Sequence, residues 1–577
     1  MKLKHIISGV ALLSLGLTAC SDQMDYNEMK INDIEYIKRD FDKVGKITTH
    51  IYLDLDYDFG QMYGGASLSS ATDEAVYSHQ GASIESYYNG SWSATNANGY
   101  IWSKCWDGIA YCNLYLDEFT GLTFPDHKYE KDYNDNMIKY ENFQWEVRFM
   151  RAYFYFLLLR QYGGVPLITK YMNAEEANNQ PRVSAEEIFA FIDKECDEIK
   201  DEIIENYSGA YVSLENEPGR VNNLGVLALR ARAALYHASP LFSQEKSDAE
   251  KKELWHQAAL RNKECLDACK ARSMRLAKDY SSLFTSDNYM NAESTKELIF
   301  ARRVAASNTF EKYNFPISIN SAQGGNCPTE NLVSAYEMKN GLPIDDPNSG
   351  YDEQNPYEGR DARLAATVAV NGEKWPTTLP HDGLETWVGG SDSRSTTYGT
   401  PTGYYLKKYV NGETKISGTG TTTTTHTWHL FRLGQVYLDY AEALFNYCGS
   451  GYDVPEGFTM SAAEAINTVR KRAGQPDLPA GLGKDEFLKR YENERFVELA
   501  FEGHRMFDVR RWMKAPQYFV DIKVMEITKN GDQLTYKPTL NPSYITKRSW
   551  KGDYMYLWPI PQAEVLKSGA LTQNPGW

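Results

Sequence analysis

Tyr491-Glu-Asn-Glu-Arg-Phe-Val-Glu-Leu-Ala-Phe-Glu-Gly-His-Arg-Met-Phe-Asp-Val-Arg-Arg-Trp512 decides how the rest of the chain is read. At helical spacing Phe496, Leu499, Ala500, Gly503 and Phe507 fall at i, i+3, i+4, i+7 and i+11, an apolar stripe. Glu502, Arg505, Asp508 and Arg511 alternate in sign every three residues, so each carboxylate is expected to meet a guanidinium one turn away. Arg suits that role because its planar fork pairs a carboxylate at two points. The pattern reads as a scaffold helix over 485–513 whose charges compensate one another.

At the other end, Lys2 and Lys4 precede an apolar run from Ile6 to Leu17, too short to span a bilayer, which takes ~20 apolar residues. Leu17-Thr-Ala-Cys20 matches a lipobox. Cleavage before Cys20 would leave a thiol for acylation, so residues 1–19 are expected to be a signal peptide and 20–40 a lipidated linker. Each buried acyl methylene adds ~0.8 kcal/mol, so several chains tether a protein firmly. No other segment is apolar enough to cross a membrane, and contact with the bilayer is expected through the anchor alone.

The formal charge of -16 makes nucleic acid a poor partner. Aromatics are 13% of the chain, with 41 Tyr and 12 Trp. Their flat faces suit the apolar C–H patches of sugar rings, and Tyr adds a hydroxyl at little entropic cost. Most of them must nonetheless fill helix interfaces. Beyond Cys20, Cys105/Cys112 and Cys265/Cys269 sit at helical spacing without companion histidines, which reads as buried thiols and not as a zinc site. Cys327 differs, lying in a Gly-Gly-Asn-Cys-Pro loop. No D-x-D-x-D-G loop supports calcium, and no metal or other cofactor is expected.

Between the ends the chain is mostly helical. Helices are expected at 101–118, 145–160, 185–205 (opened by a Ser184/Glu187 capping box), 222–239, 252–272, 429–447, 461–473 and 485–513, about eight in all. Small residues such as Ala152, Ala231 and Ala441 stand beside aromatics, so antiparallel helices approach closely, as in tetratricopeptide repeats. The fold class is therefore mainly α: a helical-hairpin scaffold over 41–275 and 428–577, interrupted by an irregular loop-rich insertion at 276–427.

The opening stretch resembles the E-R-x-x-E-L-x-F-E-G-x-R-x-x-D-x-x-R-W signature of SusD/RagB-family lipoproteins, surface glycan-binding proteins of Bacteroidota. Five further blocks follow the family in order. They are Trp102…Ile109…Asn113 (with Trp106 or Asp107 in place of the usual Tyr), Arg148-Phe-Met-Arg-Ala-Tyr153 through Tyr162-Gly-Gly-Val-Pro-Leu-Ile168, Pro328-Thr-Glu-Asn-Leu-Val-Ser-Ala-Tyr336, Arg432-Leu-Gly-Gln-Val-Tyr-Leu-Asp-Tyr-Ala-Glu-Ala443, and Tyr556-Leu-Trp-Pro-Ile-Pro561…Asn574-Pro-Gly-Trp577. The resemblance implies a lipid-anchored, surface-exposed outer-membrane protein. It would bind an oligo- or polysaccharide and pass it to a SusC-like TonB-dependent transporter, with the sugar held by irregular loops.

Two loop regions are expected to hold that ligand. In the first, Trp92 stands among Asn, Ser and Gly with no apolar face to join and is expected to be exposed for stacking, with Asp73, Asn89 and Asn96 fixing hydroxyls and Tyr88 a further ligand contact. In the second, Tyr313, Asn326, Cys327, Trp387, Arg394 and Tyr398 lie in Gly/Ser-rich loops, where Arg394 would donate twice to vicinal hydroxyls. Two other readings stand beside this one. A lid that delivers peptides or serves structure alone would not need the aromatic loops. A glycoside hydrolase needs two carboxyls at a defined separation. Glu494 and Glu498 share a helical face, but the arginines around them favour carboxylates, and a general acid must hold its proton. No G-x-S-x-G, H-E-x-x-H or P-loop motif is present, so no catalytic residue is assigned.

Overall fold

The computed structural model describes residues 34–205, 219–285 and 296–577. The expected signal peptide, Cys20 and most of the 20–40 linker lie outside the described residues.

Helix α1 (Phe41–Leu53) starts where the Asp40 carboxylate accepts from the Asp42 and Lys43 amides. Helices α2 (Tyr100–Glu118), α3 (Tyr133–Tyr162), α4 (Ala185–Ile199), α5 (Asn223–Ala238) and α6 (Asp248–Ala271) follow. Each packs on the next as an antiparallel array, and α7 (Leu433–Cys448) then packs on α6 and α8 (Ala462–Arg472) on α7. The scaffold is thus continuous across the intervening residues, which loop out as an insertion. Capping boxes at Ser184, Ser247 and Ser461 fix three helix starts. At the end of α3, Gly163 has φ +72°, outside the helical range, and stops the helix. The half of α3 from Phe149 to Tyr162 is buried nearly all round, which makes it the central rod of the core.

The expected single helix over 485–513 is broken. It forms α9 (Lys484–Glu498) and α10 (Arg505–Arg511), separated by a corner with Phe501 at φ +61° and Gly503 at φ +75°. The corner exists because the charges pair with distant segments. Glu502 is gripped by Arg432 and Lys408 at 2.7–2.8 Å, Arg505 by Asp73 and Arg511 by Glu442, while the Phe501 amide donates to Glu74. Only Asp508–Arg511 keeps the expected one-turn pairing. The apolar stripe is buried as read. The helix expected from 429 begins at Leu433, because Thr424–Arg432 (β4) pairs antiparallel with Leu298–Ser307 (β2).

Three small elements, drawn from the first scaffold part, the insertion and the C-terminal region, frame one face. Ala75–Tyr77 (β1) pairs antiparallel with Asn326–Pro328 (β3), matching Val76 to Cys327. Lys523–Asn530 (β5) and Gln533–Leu540 (β6) form a hairpin. The loop 387–400 docks on it through the Val388 amide and the Ile527 carbonyl, 2.8 Å apart.

Candidate functional site

Alternation along an extended strand places residues i and i+2 on one side, so Tyr77 and His79 share a face where β1 runs out. Their rings stack at 4.9 Å, and Tyr398 stacks on His79 at 3.7 Å and 8°. Three rings therefore rise in a column from the buried Tyr77 to Tyr398, which is 48% exposed. Tyr398 has φ +64°, a left-handed conformation costly for a bulky residue. It is held there because the Gly324 backbone lies directly against its carbonyl, where a Cβ would come within 1.9 Å.

Tyr313 closes the side of this column. Gly65 fits between it and Tyr77, since a Cβ there would fall 2.4 Å from the Tyr77 hydroxyl and 2.6 Å from the Tyr313 ring. The Tyr77 hydroxyl donates to the Gly64 carbonyl at 3.1 Å, and burial, with Tyr313, Cys327 and Tyr398 nearby, raises its pKa. Burial lowers that of His79, whose Nε2 lies 2.8 Å from the Gln323 carbonyl. Both shifts favour the neutral forms of Tyr77 and His79.

A second group continues the same face. Arg394 stacks on Tyr544 at 4.1 Å and reaches Glu526 at 3.3 Å, and Tyr544 donates to the same carboxylate at 3.1 Å. Gln80, next to His79, donates to the Tyr544 carbonyl at 3.0 Å and joins the two groups. Trp387 is half-buried with the Lys529 ammonium 4.2 Å over its ring. Flat rings beside a guanidinium, a carboxylate and amides are the furnishings of a polar, ring-shaped ligand.

The residues expected at the site divide. Tyr313, Trp387 and Arg394 belong to this face. Asn326 and Cys327 do not reach the surface. Asn326 is a buried clip that accepts from Ser67 and Ser70 and donates to Gly65 and Asn314, so it positions the face from beneath. Cys327 is fully buried with its thiol pushed up to about 12 by burial. Asp73 is buried in a two-point pair with Arg505 at 2.7 and 2.9 Å, and Tyr88 is buried beneath the Arg548 guanidinium. Trp92 corrects the sharpest expectation. It is 6% exposed, edge-on to Tyr87, Trp558 and Trp577, because the C-terminal segment folds over its loop. Asn96 is exposed but bonds within its own loop, to Ser91. Sequence reasoning missed Tyr77, His79 and Tyr544; the Tyr-x-His alternation at 77–79 was the available signal.

Comparison with known proteins follows the same outline. Residues 296–577 match the model described as SusD family, and residues 29–215 the one described as "Starch-binding associating with outer membrane". The chain is similar to the starch-binding protein SusD of Bacteroides thetaiotaomicron, 22% identical over 530 residues, covering 88% of this chain and 84% of that one. Among solved structures it resembles a SusD-like protein of Bacteroides fragilis (TM-score 0.76, 23% identity, 95% of this chain and 99% of that one). A SusD-like carbohydrate-binding protein of the same species gives TM-score 0.72 at 21% identity, covering 93% and 100%.

Proposed function

Because this chain belongs to the SusD/RagB family, we propose that it binds an oligo- or polysaccharide on the Tyr398 face and does not cut it. In this reading Tyr398 and Tyr313 stack on sugar rings and Arg394 donates to vicinal hydroxyls. Lipid on Cys20 holds the protein on the outer membrane at the cell surface, and the bound glycan passes to a SusC-like TonB-dependent transporter. The observation that carries the reading is the exposed tyrosine held at positive φ on top of a buried ring stack. Backbone strain of this kind gathers at ligand sites, which supports the reading.

The test is native electrophoresis in gels containing single polysaccharides, followed by calorimetry with the one that retards the protein. Tyr398→Ala should weaken binding roughly 5- to 150-fold, taking aromatic stacking as ~1–3 kcal/mol per platform, with no fall in melting temperature. Undiminished affinity in this variant would move the site elsewhere. Release of reducing sugar by the purified protein would replace binding with hydrolysis.

A further inference from the structure

We propose that the groove between α2, the segment 166–180 and the C-terminal turn Gln562–Lys567 is a second saccharide subsite, for a neutral sugar, sharing no residue with the Tyr398 face. The proposal rests on the glycan reading for its ligand class and on separate observations for its place.

The groove encloses about 310 Å³, the small end of the ligand-pocket range of about 300–1,000 Å³, which suits one or two sugar rings. Its floor is Trp102 and Trp106, rings 5.7 Å apart and steeply inclined, and Tyr171 stands at its rim 53% exposed. The Trp106 indole Nε1 is buried, and among the described residues no acceptor reaches it. An unmatched buried donor costs about 1–3 kcal/mol, but this one is closed off from the groove as well, so what the groove offers a sugar is the ring surfaces of Trp106 and Tyr171 and not the indole N–H. Trp92, Trp550 and Trp558 also carry unmatched indole N–H groups, but Trp106 differs in lining a groove of ligand size. The ionisable groups lining it are Asp107, Lys170, Glu564 and Lys567, the last two paired at 2.7 Å. Their charges balance, which favours a neutral ligand over an acidic one.

The test uses the full mature protein labelled with ¹⁵N at its indole nitrogens, titrated with maltoheptaose and laminarihexaose. The Trp106 signal is assigned through Trp106→Phe, whose melting temperature confirms that it folds. The expected result is a saturable shift of the Trp106 signal in the wild type. The shift should persist in Tyr398→Ala and need at least fivefold more sugar in Tyr171→Ala. If the Trp387 signal on the Tyr398 face moves while Trp106 stays fixed, the groove is no sugar site and the glycan reading stands. If neither moves with either sugar, the groove proposal falls, and the glycan reading is judged by the gels alone. A Trp106 shift produced by an oligopeptide and by neither sugar also overturns the proposal.

Discussion

Glu498 sits at the centre of a buried ionic cluster. Arg363 and Arg432 each donate to it at 2.8 Å, Arg472 donates as well, and Glu297 takes further bonds from Arg432 and Arg472. Burial alone would raise its pKa, but Arg472, Arg432 and Arg363 outweigh that and hold it at about 2. Glu498→Gln would leave three guanidiniums short of a counter-charge, and breaking a buried ion pair from one side costs about 3–5 kcal/mol. Urea unfolding should show that loss, and a variant as stable as the wild type would mean the arginines re-pair with Glu297 and Glu494. Trp92 makes the matching case for packing. Trp92→Ala removes a ring wedged among Tyr87, Trp558 and Trp577, so it should cost about 3–5 kcal/mol and leave the glycan affinity of the folded protein unchanged. A Trp92→Ala protein that melts normally and loses its ligand would restore the exposed-stacking role.

Elements are legible in proportion to how local their causes are. The capping box at Ser184 and the stop at Gly163 depend on neighbours within a few residues, so α4 starts at Ala185 and α3 stops at Gly163 as read, whereas the far ends, which no such local signal marks, fall at Ile199 and Tyr133 and not at 205 and 145. The corner at Phe501 depends on Glu74 and Arg432, far away in sequence, so a continuous apolar stripe conceals it. The site follows the same rule. Tyr313 and Arg394 were legible as aromatic and forked residues in loops. The exposure of Trp92 was not, because the segment that buries it begins more than 400 residues later. Helix contacts show how a local preference yields to packing. Gly108 lies mid-helix in α2, where alanine would ordinarily add up to ~1 kcal/mol, yet a Cβ there meets the Phe154 ring of α3 at 2.5 Å. Phe154 is fully buried, so it can give way only by disturbing its neighbours. Overpacking costs about 1–3 kcal/mol, so Gly108→Ala should lower the melting temperature. A higher one would show that α2 and α3 can separate freely.

At the scale of the molecule, the interior that supports the Tyr398 face holds groups whose charge changes near neutral pH. Asp58 borders an internal cavity of about 50 Å³, and its carboxylate accepts from the Leu68 amide at 2.6 Å, closing the loop that carries Gly64 and Gly65 beneath Tyr313. Burial raises its pKa to about 7, against 3.8 for the free side chain, and burial does the same to Glu74, also to about 7. Between pH 4 and 7 the folded state therefore holds a proton at Asp58 that the unfolded chain has released. This group's contribution to stability is full below pH 4 and is lost as pH rises through 7, by up to ~1.4 kcal/mol per pH unit. Buried His429 and half-buried His504 act in the opposite sense, since desolvation lowers their pKa values and stability falls as the unfolded chain takes up their protons in acid. The whole curve is thus a compromise, and the group is isolated by a difference. Asp58→Asn, which cannot ionise, should gain stability relative to the wild type from pH 5 to about pH 7 and level off above it, measured by urea unfolding at each pH from 5 to 8. A flat difference across that range would mean that Asp58 is already charged in the folded protein and that its cavity is solvated well enough to keep it so.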